Sequence, residues 1–170
     1  MSPTGVTAFI GIGANLGDPA AQVFEACARL ARDLPNTRLV TRSRLYRNPP
    51  MGPQDQPDYV NAVACIVTRL VPGDLLTELQ RIETVMGRRR DGTRWGARLL
   101  DLDILLYGTE RINEPGLRIP HPGIAERDFV LFPLRELAPD LEIPGRGTVS
   151  RLCRTVSAAG LVAIPEEAHA

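Results

Sequence analysis

Apolar residues dominate 6–13 in the manner of a strand, and Val23, Phe24, Cys27, Leu30 and Leu34 then recur at the spacing of one helical face. Asp18-Pro19 supplies an N-cap followed by proline at the first helical position, and Pro35-Asn36 ends the segment. Residues 37–46 are rich in β-formers. A loop carrying Pro49, Pro50, Pro53 and Pro57 follows, and 59–70 is again strand-like. Pro72-Gly73-Asp74 opens a second helix whose Leu75, Leu76, Leu79, Ile82 and Met86 keep a 3.6 period, with Gly87 as its closing glycine. The run 99–107 is too hydrophobic for an exposed edge.

The order β-α-β-β-α-β predicts an α+β, ferredoxin-like sandwich: a largely antiparallel sheet with both helices packed on one face. From Gly108 the pattern gives a C-terminal extension of short strands and helices, the helices at 128–138 and 149–156. At 170 residues the chain is one domain, residues 1–170, with disordered tails expected at about 1–5 and 165–170. The first 17 residues are uncharged but broken by Pro3 and several glycines, so neither a signal peptide nor a membrane span is expected. Cys27, Cys65 and Cys153 are far apart and form no C-x-x-C pair. They read as small buried hydrophobes in a reducing cytoplasm.

Charge changes the picture. Twenty basic residues balance twenty acidic ones, and every basic residue is Arg. Without lysine there is no P-loop lysine, no kinase-type strand lysine, no Schiff base and no Ser-Lys dyad. Phosphate chemistry would fall to Arg and metal. The neutrality is also an average: residues 81–98 hold six Arg against Glu83 and Asp91, whereas 99–142 hold nine acids against four Arg.

The basic stretch runs into Asp101 and Asp103, two acids inside the apolar run. Strand alternation places both carboxylates on one face about 7 Å apart, with Leu100, Leu102 and Ile104 on the other. Pairing with Arg94 and Arg98 would explain them as loop closure. A cation between them explains them equally well on spacing alone, and oxygen-only ligands suit Mg²⁺. The surplus of arginine favours the cation, because several guanidinium groups then await phosphate oxygens.

Other signals are weaker. Gly11-Ile12-Gly13-Ala14-Asn15-Leu16-Gly17 spaces its glycines one residue off the dinucleotide fingerprint and reads as a tight turn that positions the first helix. His121, between Pro120 and Pro122, is held rigidly for contact or is structural. Trp95 stacks a ring or covers the core edge. Tyr59 and Asn61 share one strand face, from which an amide can read a heterocycle's edge; a satisfied surface asparagine is the plainer reading.

In four stretches the chain resembles the hydroxymethyldihydropterin pyrophosphokinases of folate biosynthesis. The stretches are 11–17; Tyr46-Arg47-Asn48-Pro49-Pro50-Met51-Gly52 with Gln56-Pro57-Asp58-Tyr59-Val60-Asn61; Arg94-Trp95-Gly96-Ala97-Arg98-Leu99-Leu100-Asp101-Leu102-Asp103-Ile104; and Pro120-His121-Pro122. The third is the most specific. The resemblance implies transfer of the β,γ-diphosphate of ATP to the pterin hydroxymethyl group with release of AMP. It implies two Mg²⁺ held by Asp101 and Asp103, with Arg88 and Arg98 as catalytic arginines of a loop expected to be mobile without substrate. ATP would meet Gln80, Glu83, Arg90, Trp95, Arg98, Ile104, His121 and Arg127. The pterin would stack between Tyr59 and Phe129, its edge read by Asn61 and by the chain near Asn48, Pro49 and Met51. Ala14, Asn48, Ala97, Leu99 or Leu100, and Asp91 depart from the family's usual residues, and none removes a metal or phosphate ligand. A monomer without nucleic-acid or membrane partners is expected. A ferredoxin-like module that binds a small ligand without catalysis is the alternative. An RNA-binding role is disfavoured by the paired aspartates and by the lack of an aromatic run.

Overall fold

The computed structural model describes residues 5–50, 55–87 and 100–165. The chain forms β1 (Val6–Ala14), α1 (Pro19–Arg32), β2 (Thr37–Arg42), β3 (Tyr46–Asn48), β4 (Tyr59–Thr68), α2 (Pro72–Val85) and β5 (Asp101–Tyr107). The extension adds β6 (Ile112–Glu114), β7 (Leu117–Ile119), α3 (Asp128–Leu137), β8 (Glu142–Ile143), β9 (Gly147–Thr148), α4 (Val149–Cys153) and β10 (Val162–Ala163). The main sheet runs β10-β3-β4-β1-β5, with β2 also on β4, and every pairing is antiparallel. β1 and β2, joined by α1, flank β4; β4 and β5, joined by α2, flank β1. An α+β plan with an antiparallel sheet is therefore what these residues build.

Local chemistry sets the helix ends. The Asp18 carboxylate accepts the Ala21 amide at 3.2 Å, and Pro19 starts α1. Pro72 and Asp74 open α2, and Gly87, at φ +96°, turns the chain out beyond Met86. Val23, Cys27 and Leu30 of α1 join Leu75, Leu79 and Ile82 of α2 over Ile10, Ile12, Ala62, Ala64, Leu102 and Ile104 of the sheet. Both long helices thus cover one face. Against the other face, Val130, Leu131 and Leu134 of α3 and Val149 and Cys153 of α4 pack on Phe9, Val63, Cys65, Leu105 and Leu106.

Two departures from the sequence reading shape the site. Residues 37–46 do not make one strand, because β2 ends at Arg42 and β3 begins at Tyr46. Ser43 bridges the break: its amide donates to the Val63 carbonyl at 2.8 Å and its hydroxyl accepts the Val63 amide at 3.0 Å. A hydroxyl standing in for a carbonyl leaves no patterning signal. Second, Gly11 and Gly13 lie within β1 rather than in a turn, and only Gly17, at φ +63°, takes the turn conformation. On a strand a glycine leaves its face bare.

Strand β5 also carries an irregularity. Phe9 pairs with Leu106 but Ile10 pairs with Ile104, so Leu105 is one residue too many. As a result Leu105 and Leu106 both enter the core under α3, while Leu102 and Ile104 keep to the helix α1 and α2 side. All three cysteines are buried and none forms a disulfide, and burial pushes the Cys65 and Cys153 thiols above their ordinary value. Among the described residues no helix is long and apolar enough to cross a membrane.

Candidate active site

The candidate site lies on the α3 face of the sheet, beyond the part that α3 and α4 cover. Gly11 pairs with Asp103 and Gly13 with Asp101, so each carboxylate stands beside a position without a side chain. A cleft of about 170 Å³ results, lined by Gly11, Gly13, Asn48, Tyr59, Asn61, Asp101, Asp103, Leu105, His121, Arg127 and Phe129 among others. The glycines are its floor. A methyl group on Gly13 would sit 2.6 Å from Asn61 Oδ1, and one on Gly11 would touch Leu105 at 3.2 Å.

Strand register assembles the polar wall. Asn48 pairs with Tyr59 and Tyr46 with Asn61 across β3 and β4. Asn61 is buried, and its Nδ2 donates to Asn48 Oδ1, while Asn48 Nδ2 donates to the Pro49 carbonyl at 3.2 Å. Asn61 is thus no solvated surface asparagine but a fixed, oriented amide on the cleft. Asn15 was singled out in sequence only as part of its glycine motif. Buried to 1% exposure, it donates to Gln56 Oε1 at 3.0 Å and to the Pro57 carbonyl at 3.1 Å, tying down the approach to Tyr59.

The Leu105 carbonyl accepts the His121 amide at 3.0 Å. That bond brings the His121 loop against the aspartate strand. His121 Nδ1 accepts the Gly123 amide at 3.0 Å, which leaves Nε2 as the nitrogen that carries the proton of the neutral ring. Burial, helped by the Arg127 cation, lowers the His121 pKa below its ordinary value against the opposing pull of Asp103. Arg127 lies over the Phe129 ring at 5.7 Å, and its guanidinium crosses Gly123, where a Cβ would meet Nε at 2.5 Å.

A second cleft, about 270 Å³, opens at the outer edge of β5 between Leu76, Ile104, Leu117 and Pro122. Asp103 and His121 line this cleft as well as the first. Gln80 is exposed on α2, whereas Glu83 is buried and accepts the Leu102 amide at 2.8 Å, fastening α2 to β5. Arg88, Arg90, Trp95, Arg98 and Met51 lie outside the described residues, as do Arg94, Asp91 and both chain ends. Pro49 is not among the residues that line the cleft; its carbonyl holds the Asn48 amide that does.

Among the described residues no three His, Cys, Asp or Glu side chains cluster as a metal cage. Two carboxylates on one strand face, each opposite a bare glycine, nevertheless fit Mg²⁺, which takes one or two protein carboxylates and fills its remaining positions with water and phosphate oxygens. The site therefore suits a metal that arrives with an anionic ligand.

Comparison with known proteins agrees. Residues 9–139 match the family 7,8-dihydro-6-hydroxymethylpterin-pyrophosphokinase (HPPK). The 2-amino-4-hydroxy-6-hydroxymethyldihydropteridine pyrophosphokinase of Haemophilus influenzae is 51% identical over 149 residues, which cover 88% of this chain and 92% of that one. Its Pseudomonas aeruginosa counterpart is 45% identical over 157 residues, covering 92% and 96%. Among solved structures, an HPPK-DHPS in complex with substrates superposes with a TM-score of 0.68 at 12% identity, over 88% of this chain. The wild-type Plasmodium falciparum HPPK-DHPS with STZ-DHP gives 0.71 at 14%, over 89%. This chain spans 45% and 43% of those chains, and at such identity the likeness concerns the fold. The relatives are enzymes, which disfavours a non-catalytic ligand-binding module. By the extent of the family match and by identity to its bacterial members, the chain belongs to the 7,8-dihydro-6-hydroxymethylpterin-pyrophosphokinase family, the pyrophosphokinases of folate biosynthesis.

Proposed function

We propose that the protein transfers the β,γ-diphosphate of ATP to the hydroxymethyl group of 6-hydroxymethyl-7,8-dihydropterin, giving the pterin diphosphate and AMP. The observation that carries this reading is that Asp103 and His121 line two neighbouring clefts at once. A group transfer between two bound substrates needs such a shared wall. The cleft between Tyr59 and Phe129 takes the pterin, with Asn61 and Asn48 reading its amide and amine edge; the family resemblance adds Pro49 and Met51 to the same ligand. The second cleft, where Leu76, Ile104 and Leu117 lie beside Asp103, Arg118 and His121, takes the nucleotide.

Asp101 and Asp103 would hold Mg²⁺, two ions in all, and the metal would neutralise and orient the triphosphate oxygens. His121 offers its Nε2 proton to a phosphate oxygen while staying neutral, and Arg127 adds a fixed cation. From the family resemblance, Arg88, Arg90 and Arg98 take further phosphate charge, Trp95 borders the site, and Gln80 and Glu83 serve the nucleotide side. Glu83 does so by fixing the strand that bears the aspartates. With no lysine in the chain, arginine and metal carry the whole positive charge set against the polyphosphate. Positioning and electrostatics supply most of the acceleration. The working unit is one chain, acting in the cytoplasm without nucleic acid or membrane.

The test follows products. Incubation with ATP, Mg²⁺ and hydroxymethyldihydropterin should yield AMP and the pterin diphosphate, with neither product formed when pterin or Mg²⁺ is withheld. ADP as the nucleotide product would overturn the assignment.

A further inference from the structure

Behind the pterin wall lies a polar cluster that the proposed reaction does not use. Glu136, in the last turn of α3, accepts three bonds from the segment that opens β3. The Arg44 backbone amide reaches Oε2 at 2.8 Å, while the Tyr46 hydroxyl at 2.6 Å and Arg44 Nε at 3.2 Å reach Oε1. Arg44 Nη2 also donates to the Tyr46 hydroxyl at 3.2 Å. The Arg44 amide belongs to the break between β2 and β3, where Glu136 takes the place of a ladder carbonyl. Burial and the Glu136 carboxylate hold the Tyr46 hydroxyl above its ordinary pKa, so it remains a donor.

Position gives the cluster its meaning. Tyr46 pairs with Asn61, and two residues on Asn48 pairs with Tyr59, so the four side chains tile one patch of the sheet. Three of them line the cleft; Tyr46 stands behind Asn61, 7% exposed. At the other end of α3, Phe129 forms the opposite wall. Phe129 and Glu136 are seven residues apart, two turns along one helix face, about 10 Å. Pro133 lies between them and lacks the N–H that would bond the Phe129 carbonyl, so the helix is weakest where its direction matters.

We infer that Tyr46, Arg44 and Glu136 are positioning residues that clamp α3 to β3 and so set the gap between Phe129 and the Tyr59–Asn61 wall, tuning the site for a flat bicyclic heterocycle. The inference rests on the pterin assignment of that cleft. Leu131 and Leu134 anchor α3 independently of the clamp, so loosening it leaves the fold intact while widening the gap.

Steady-state kinetics and melting on Tyr46→Phe, Glu136→Ala and Glu136→Gln test it, with Asn61→Ala as reference. Tyr46→Phe and Glu136→Ala should raise the pterin KM about tenfold, with kcat and the KM for ATP within about twofold. Glu136→Gln keeps one of the two oxygen acceptors and sets an NH2 against the remaining donor, so it should fall between Glu136→Ala and the unchanged protein. If Asn61→Ala weakens pterin binding but the clamp variants do not, the clamp is overturned while the cleft assignment stands. If Asn61→Ala leaves pterin binding unchanged, the cleft assignment falls and the clamp with it. Equal weakening of both substrates together with a lowered melting temperature would reduce the cluster to a structural role and overturn the inference.

Discussion

The two faces of the sheet solve different problems with the same strands. On the face toward α1 and α2, β1 presents Ala8, Ile10 and Ile12 and β4 presents Ala62, Ala64 and Ile66, all nearly inaccessible and all covered by helix. On the other face the same strands begin alike, with Phe9, Val63 and Cys65 under α3, and then change character to Gly11, Gly13, Asn61 and Tyr59. One face is closed along its length; the second is half core and half site. The difference teaches that function here is obtained by ending a hydrophobic layer early. Glycine supplies the room, and the pleat delivers Asp101, Asp103 and Asn61 into it.

The largest expected effect breaks this contrast on the open half. Asp103→Asn should lower AMP formation on the order of 10³-fold, about 4 kcal/mol of transition-state stabilisation, while the melting temperature holds; a stopped assay and a thermal melt on the purified variant read the two arms. On the closed face the outcome should invert. Leu79 is fully buried between α2 and the sheet, so Leu79→Ala should cost about 2–5 kcal/mol of folding stability in denaturant titration. Its kcat at low temperature should be preserved.

A subtler variant puts a methyl group where the two characters meet. Gly13→Ala would drive a Cβ to 2.6 Å from Asn61 Oδ1 and displace the amide. Calorimetry should show pterin affinity reduced about tenfold, roughly 1.4 kcal/mol, with nucleotide affinity kept. The smallest effect is a pH dependence. Because the folded state holds the His121 pKa below its ordinary 6.5, the unfolded chain takes up the proton first. Stability of the ligand-free protein should therefore be flat above about 6.5, fall as the pH drops below that value, and level off beneath the folded pKa. His121→Gln should flatten the dependence of the denaturation midpoint between pH 7 and 5.

Much of this was legible in the chain. Asp18-Pro19 and Pro72-Gly73-Asp74 announce the starts of α1 and α2 through local chemistry, and the alternation around Asp101 and Asp103 assigns both carboxylates to one face. What escaped depends on contacts distant in sequence. Ser43 replaces a ladder carbonyl only because Val63 is opposite, so residues 37–46 read as one strand and fold as two. The glycines of 11–17 imitate a turn because composition alone does not distinguish a glycine that bends a chain from one that bares a sheet. Glu83 was carried by family resemblance to the nucleotide, and its buried bond to the Leu102 amide belongs to the architecture beneath. Strand β10, Val162–Ala163, joins the sheet through β3 with only two residues, too few to leave a pattern.

The extra residue at Leu105 has a consequence for how this chain tolerates change. The inserted residue lets the aspartate end and the Leu106 end of β5 be phased separately against β1. Deleting it would rotate one end by half a pleat, turning either the carboxylates into the oily layer or Leu106 out of it. It would also remove the carbonyl that holds the His121 loop. A side-chain exchange along β5 therefore acts at one position, whereas shortening that strand by one residue costs the core or the chemistry as a whole.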